Sequence, residues 1–119
     1  MLYFKHHESD FVDSIRISKM PIVYVITTPN FEYIKIGRTK SLKQRINNIQ
    51  SGCPFRLCFH NGIRTTRDSE VESALHNLIA HVRVRGEWFK PTIQDIDVVD
   101  EFCNETNKHI REVYDATHA

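Results

Sequence analysis

The chain is short of the residues that punctuate or staple a fold. Its 119 residues include four glycines, four prolines, three cysteines and one tryptophan. So little Gly and Pro leaves few places for long irregular segments, and no linker, internal repeat or low-complexity stretch is visible. Cys53, Cys58 and Cys103 are an odd number without paired spacing. That pattern argues against a disulfide framework and fits free thiols in a reducing compartment such as the cytoplasm. A zinc site built from Cys53, Cys58 and His60 lacks a second ligand pair. No apolar run approaches the roughly 20 residues needed to span a bilayer, so no membrane partner is expected. The first 20 residues carry Lys5, His6, His7, Glu8, Asp10 and Asp13, a composition foreign to a signal peptide.

Net charge is equally sparse, at +1, but it is unevenly spread. Residues 35–90 hold eleven Lys/Arg against four acids, a net of +7, whereas residues 1–34 carry −1 and residues 91–119 carry −5. A basic middle with an acidic end is a footprint of polyanion binding. A solvated mixed surface is the plainer reading, because segregation along the chain need not survive folding.

What is present suits one compact domain: 40% of the residues are hydrophobic, enough for a single core at this length. Residues 1–20 read as an extension whose Phe11, Ile15 and Ile17 pack on that core. From Ile22 to Thr27 the side chains alternate as in a strand, and Tyr33-Ile34-Lys35-Ile36 follows as a second. Thr28-Pro29-Asn30 between them is turn chemistry. A four-residue loop pairing Thr27 with Glu32 sets Tyr24 opposite Lys35, where the ammonium would lower the phenol's pKa. A helix is expected from Leu42 to about Gln50, with Ser41 and Gln44 as a capping box and Leu42, Ile46 and Ile49 on one face. Ser51-Gly52-Cys53-Pro54 ends it. Phe55 to Ile63 reads as a third strand, and a helix from about Asp68 carries the stripe Val71, Leu75, Leu78, Ile79 and Val82. Arg83-Val84-Arg85-Gly86 leaves that helix, and Trp88 with Phe89 reads as a packed edge. Thr92 and Asp95 cap a final acidic helix, residues 92–119, belonging to the same domain. The fold class expected is α/β of the α+β kind: a small three-stranded sheet, mixed or antiparallel, flanked by helices.

The order Val23-Tyr24-Val25, Lys35-Ile36-Gly37-Arg38-Thr39, Leu42-Lys43-Gln44-Arg45, Glu72, His76 and Gly86-Glu87-Trp88-Phe89 resembles the GIY-YIG nuclease core, in particular its small phage- and virus-associated branch. The resemblance covers roughly residues 21–91. It implies a nuclease domain that hydrolyses DNA phosphodiester bonds with one Mg²⁺ or Mn²⁺ ion. On that reading Tyr24 is the general base or water-orienting group, with Lys35 beside it. Arg45 and Arg38 clamp phosphate, and Gly37, Thr39 and Lys43 line the substrate. Glu72 is the metal ligand, His76 orients a water or touches phosphate, and Glu87 is either a second carboxylate at the site or the partner of Arg85. An arginine fork suits a phosphate better than a lysine does, and Mg²⁺ is often held by only one or two carboxylates. Two departures stand out. Lys35 occupies the place of the YIG tyrosine, and Leu75 falls where many members carry the metal-binding glutamate, so Glu72 arrives one turn earlier. The chain has no length for a separate DNA-reading domain, so a protein partner or a second copy would supply specificity. Two other classes compete: a nucleic-acid-binding module without catalysis, and an interaction or inhibitor domain whose acidic helix docks a basic partner.

Overall fold

Every residue of Ile22–Thr27 is buried, which for a strand requires cover on both faces. This strand, β1, is the centre of the sheet. A computed structural model describes residues 19–118; the expected packing of Phe11, Ile15 and Ile17 lies outside the described residues. The chain continues through a 3₁₀ turn (Pro29–Phe31) to β2 (Ile34–Thr39) and helix α1 (Leu42–Ser51). Next come β3 (Cys58–Arg64), helix α2 (Asp68–Leu78) and a 3₁₀ turn (Ala80–Val82). The hairpin β4 (Arg83–Arg85) and β5 (Trp88–Phe89) then leads to helix α3 (Ile93–His118). Strand order is β3-β1-β2-β5-β4, and all pairings are antiparallel. The α+β class is as expected, but the sheet has five strands rather than three.

The two faces are divided by alternation along β1. Val23 and Val25, with Ile34, Ile36 and Ile63, pack under Leu75 and Ile79 near α2 and under Val99 and Cys103 of α3. Tyr24 and Ile26 point the other way, with Leu57, beneath Leu42, Ile46 and Ile49 of α1 and beside Trp88. A bulge between Val25 and Ile26 leaves His60 of β3 without a direct partner on β1. Its Nε2 meets Asp100 of α3 at 2.7 Å, so the irregularity ties the long helix to the sheet.

Three local expectations change. The β1–β2 loop is longer than a four-residue turn: the Thr28 and Tyr33 backbones bond at 3.0 Å, and the Thr28 hydroxyl both donates to and accepts from Tyr33. Asn30 and Phe31 inside it are left-handed, at φ 61° and 57°. Thr27 therefore pairs with Ile34, and Tyr24 faces Gly37 instead of Lys35. Ser41 makes no side-chain cap for α1; the Ser41 amide instead donates to Thr39 Oγ1 at 3.1 Å. Phe55 stands outside β3 and is 55% exposed.

The cap of α3 forms as the sequence suggests. The Asp95 amide donates to Thr92 Oγ1 at 3.2 Å, and Asp95 Oδ2 accepts from the Thr92 amide at 2.9 Å, the reciprocal arrangement of a capping box. That amide hydrogen bond is the main reason Asp95 is held below the ordinary carboxylate pKa. A depressed folded-state pKa stabilises above the unfolded value and loses that contribution as pH falls through the folded one. Asp95→Ala is therefore expected to cost about 0.5–2 kcal/mol near pH 7, with the difference from wild type narrowing in acid, as urea titrations at several pH values would record. Leu75→Ala, in the fully buried layer, is expected to cost about 2–5 kcal/mol by the same measurement at neutral pH.

Candidate active site

The pairing of β2 with β5 covers only Ile34–Phe89 and Lys35–Trp88, followed by one more bond from the Ile36 amide to the Glu87 carbonyl at 3.0 Å. Beyond it, no strand among the described residues lies along the edge of β2 at Gly37 and Arg38. The turn that ends the hairpin uses Gly86 at φ +56°, a conformation glycine adopts without steric cost. It brings Glu87 to this open edge.

Gly37 is the point of convergence. A β-carbon there would collide with the ring and hydroxyl of Tyr24 and come within 2.8 Å of Glu87 Oε1. The missing side chain is thus filled by a phenol from the neighbouring strand and a carboxylate from the hairpin. The glycine is thus needed by the interior of the site itself, a requirement not anticipated from sequence.

Tyr24 is fully buried by its surroundings. Its hydroxyl accepts a hydrogen bond from Arg45 Nε at 3.3 Å, because Ile46 and Ile49 seat α1 on the sheet and leave Arg45 beside that stripe. The bond uses Nε, so the terminal nitrogens of the fork, which suit bidentate phosphate contact, are not spent on it. Burial, more than any other factor, pushes the Tyr24 pKa upward; Arg45 opposes the shift, and the Glu87 and Glu72 carboxylates add to it. The expected lowering by Lys35 is not found. Lys35 instead pairs with Glu87 at 3.2 Å and holds its ammonium 5.3 Å from the Trp88 ring centre.

From the opposite face α2 contributes Glu72. Its Oε1 meets Arg38 Nε at 3.3 Å, while Arg38 Nη1 also bonds Asp68 at 3.0 Å, a partner not anticipated from sequence. Glu72 Oε2 is buried without a hydrogen-bond partner. Desolvation first, and then repulsion from Glu87, raise the Glu72 pKa. A buried carboxylate oxygen without a partner, on a residue that lines the same cleft as a second carboxylate, has the chemistry of a cation ligand. Among the described residues no group of three or more His, Cys, Asp and Glu is arranged around a metal. The fit is therefore with an ion that keeps most of its water.

His76 is engaged at both ring nitrogens. Nε2 lies 2.8 Å from the Ile36 carbonyl, which can only accept, and Nδ1 lies 3.1 Å from Arg83 Nη2, which can only donate. These contacts select the neutral tautomer with hydrogen on Nε2, and the ring packs on Phe89, 5.2 Å between centres. The arrangement is that of a strut between α2, β2 and the hairpin, unlike the water-handling role expected. Thr39 closes the β2–α1 turn, and Lys43 is exposed on α1. Arg38, Thr39, Lys40, Asp68, Glu72 and Glu87 together line an open polar cleft of about 370 Å³.

The T5orf172 domain matches residues 21–112, a stretch that contains all the residues of this cleft. No curated protein and no solved structure is significantly similar to the chain.

Gly37→Ala is expected to cost about 1–3 kcal/mol through overpacking and to displace the Tyr24 hydroxyl, visible as an altered tyrosine absorbance titration. Glu72→Gln acts with the opposite sign. A carboxyl whose pKa is raised in the folded state costs stability as pH rises above the unfolded value near 4.5. The amide should therefore increase thermal stability at pH 7 and flatten its dependence on pH in the window above 4.5.

Proposed function

The chain belongs to the T5orf172 domain family, GIY-YIG-like and nuclease-associated domains of phage-type proteins, and on that footing we propose that it is a metal-dependent endonuclease hydrolysing DNA phosphodiester bonds. One observation carries the reading: the Tyr24 phenol, bonded by Arg45, and the Glu87 carboxylate meet at the missing side chain of Gly37, and Glu87 also lines the open cleft with Glu72 and Arg38.

Hydrolysis requires a water aimed at phosphorus, somewhere for its proton to go, and positive charge on the phosphoryl oxygens. With its pKa raised, Tyr24 enters as a neutral phenol. It orients the attacking water and does not start as a phenolate base, while Glu87 at its side offers a proton acceptor. Lys35, ion-paired to Glu87, fixes the carboxylate's position. Arg45, held by Tyr24 through Nε, presents the rest of its fork to the scissile phosphate. Arg38 starts in the grip of Asp68 and Glu72 and reaches phosphate only by exchanging one of them. Glu72, with Glu87, would hold Mg²⁺ or Mn²⁺, which supplies charge to the non-bridging and leaving oxygens when bound. Thr39 and Lys43 lie along the path of the strand on the basic side.

The decisive assay offers linear, nicked and forked DNA to the protein with Mg²⁺, Mn²⁺ or EDTA. Metal-dependent cutting is expected, slowed about 10²–10³-fold by Arg45→Ala and abolished by Glu72→Gln. Mg²⁺ or Mn²⁺ should also raise the melting temperature of the wild type and leave that of Glu72→Gln unmoved. A wild type that binds DNA but cuts none of these substrates in either metal would defeat the nuclease reading and leave a binding module.

A further inference from the structure

On the α1 side of the sheet a second depression, about 470 Å³, runs between the end of α1 and the β4–β5 hairpin. Its walls are Phe55, Val84, Tyr33 and Trp88, with Pro54 and Arg85 at the rim. Phe55 and Val84 are 55% and 56% exposed, an unusual position for large apolar side chains that face each other across a groove. No acidic residue lines it. Cations surround its aromatic groups instead: the Lys35 ammonium lies over Trp88, and that of Lys90 lies 5.8 Å from the Tyr33 ring centre.

The groove and the cleft share no lining residue, but neighbouring residues connect them. Trp88 follows Glu87 directly and packs in the same cluster as Tyr24, and Lys35 touches both Glu87 and Trp88. Ile49, which lines the groove, follows Arg45 by about one turn of α1, so a strand with a phosphate on Arg45 would pass beside the groove. An apolar, aromatic slot rimmed by cations suits one partner chemistry above others: a flat π-system carried on an anionic chain. A volume within the roughly 300–1,000 Å³ of small-ligand pockets accommodates it.

We propose that the Phe55–Val84–Trp88 groove takes an unpaired nucleobase next to the scissile phosphate, so that the substrates are nucleic acids with unstacked bases at the cleavage position. The inference rests on the nuclease reading for the position of the strand, but its test needs no cleavage. A base inside a duplex is stacked and paired and cannot enter the slot without being extruded. Frayed ends, forks, flaps and single strands present one freely.

Trp88 is the only tryptophan, so its fluorescence reports the groove directly. Titrations in EDTA would compare a short single-stranded oligonucleotide, its abasic counterpart and a blunt duplex. The base-bearing single strand is expected to quench Trp88, while the abasic strand binds through its phosphates without quenching. Phe55→Ala, a change at an exposed position, should weaken binding of the single strand about tenfold, within the roughly five- to hundredfold that stacking one base supplies. The salt dependence should stay as in wild type, because phosphate contacts set it. If abasic and base-bearing strands quench and bind alike, or if Phe55→Ala changes nothing while DNA is bound, the groove does not hold a base and only this inference falls. If no DNA binds at all, the nuclease reading falls with it.

Discussion

The site depends on a volume that the sequence leaves empty. Tyr24 and Gly37 face each other across β1 and β2, and with no side chain on the glycine the phenol can lie across the strand and meet Glu87 at the sheet edge. Everything else follows from that contact. Arg45 is placed by its bond to the phenol, Lys35 neutralises the carboxylate, and Glu72 reaches the same point from the far face. Filling the volume with a methyl group would separate groups drawn from β1, the hairpin and two helices. Close packing makes such a junction sensitive to a single carbon.

The charges are arranged so that neither carboxylate is comfortable alone. Glu72 has one oxygen on Arg38 and one buried without a partner, and Glu87, which lines the same cleft, is paired with Lys35. Desolvation and mutual repulsion both disfavour ionisation of Glu72, as expected where groups are gathered for chemistry at some expense of stability. Arg38 sits between Asp68 and Glu72, so the cation that answers the repulsion in the free protein is a side chain able to exchange partners.

Much of the fold could be read from the residues, and the unread parts have physical causes. The alternation of Ile22–Thr27, the apolar stripe of α1 and the Thr92–Asp95 cap are local signals, and all three elements formed where they were expected. The β1–β2 register was not legible. It turns on Thr28 and Tyr33 closing the loop while Asn30 and Phe31 take left-handed conformations, and nothing in the residue pattern marks Phe31 for that. The Lys35–Tyr24 contact failed with the register. The hairpin was missed because β4 and β5 have three and two residues, too few for any periodicity, and Arg83-Val84-Arg85 reads as the tail of a helix. Tyr24, Gly37, Arg45, Glu72 and Glu87 were all singled out beforehand and stand together in space. His76 was singled out too, but its two hydrogen bonds depend on a carbonyl and an arginine that only the fold brings to it.

The shortness of β5 has an outcome of its own. Hydrogen-bonding groups alternate sides along an antiparallel strand, and the Ile36 amide points at Glu87, so the next backbone groups turned to that edge are those of Arg38. A hairpin two residues longer would pair with them and roof the cleft, giving a better-sealed sheet and a closed site. Hairpin length therefore works as a ruler for access, and insertions or deletions around Gly86 would widen or shut the entrance while also moving Glu87, the next residue. The exposed ladder would ordinarily invite a strand from another molecule. Here Arg38, held by Asp68 and Glu72, keeps charged side chains beside those groups, one of the ways an edge is kept from pairing.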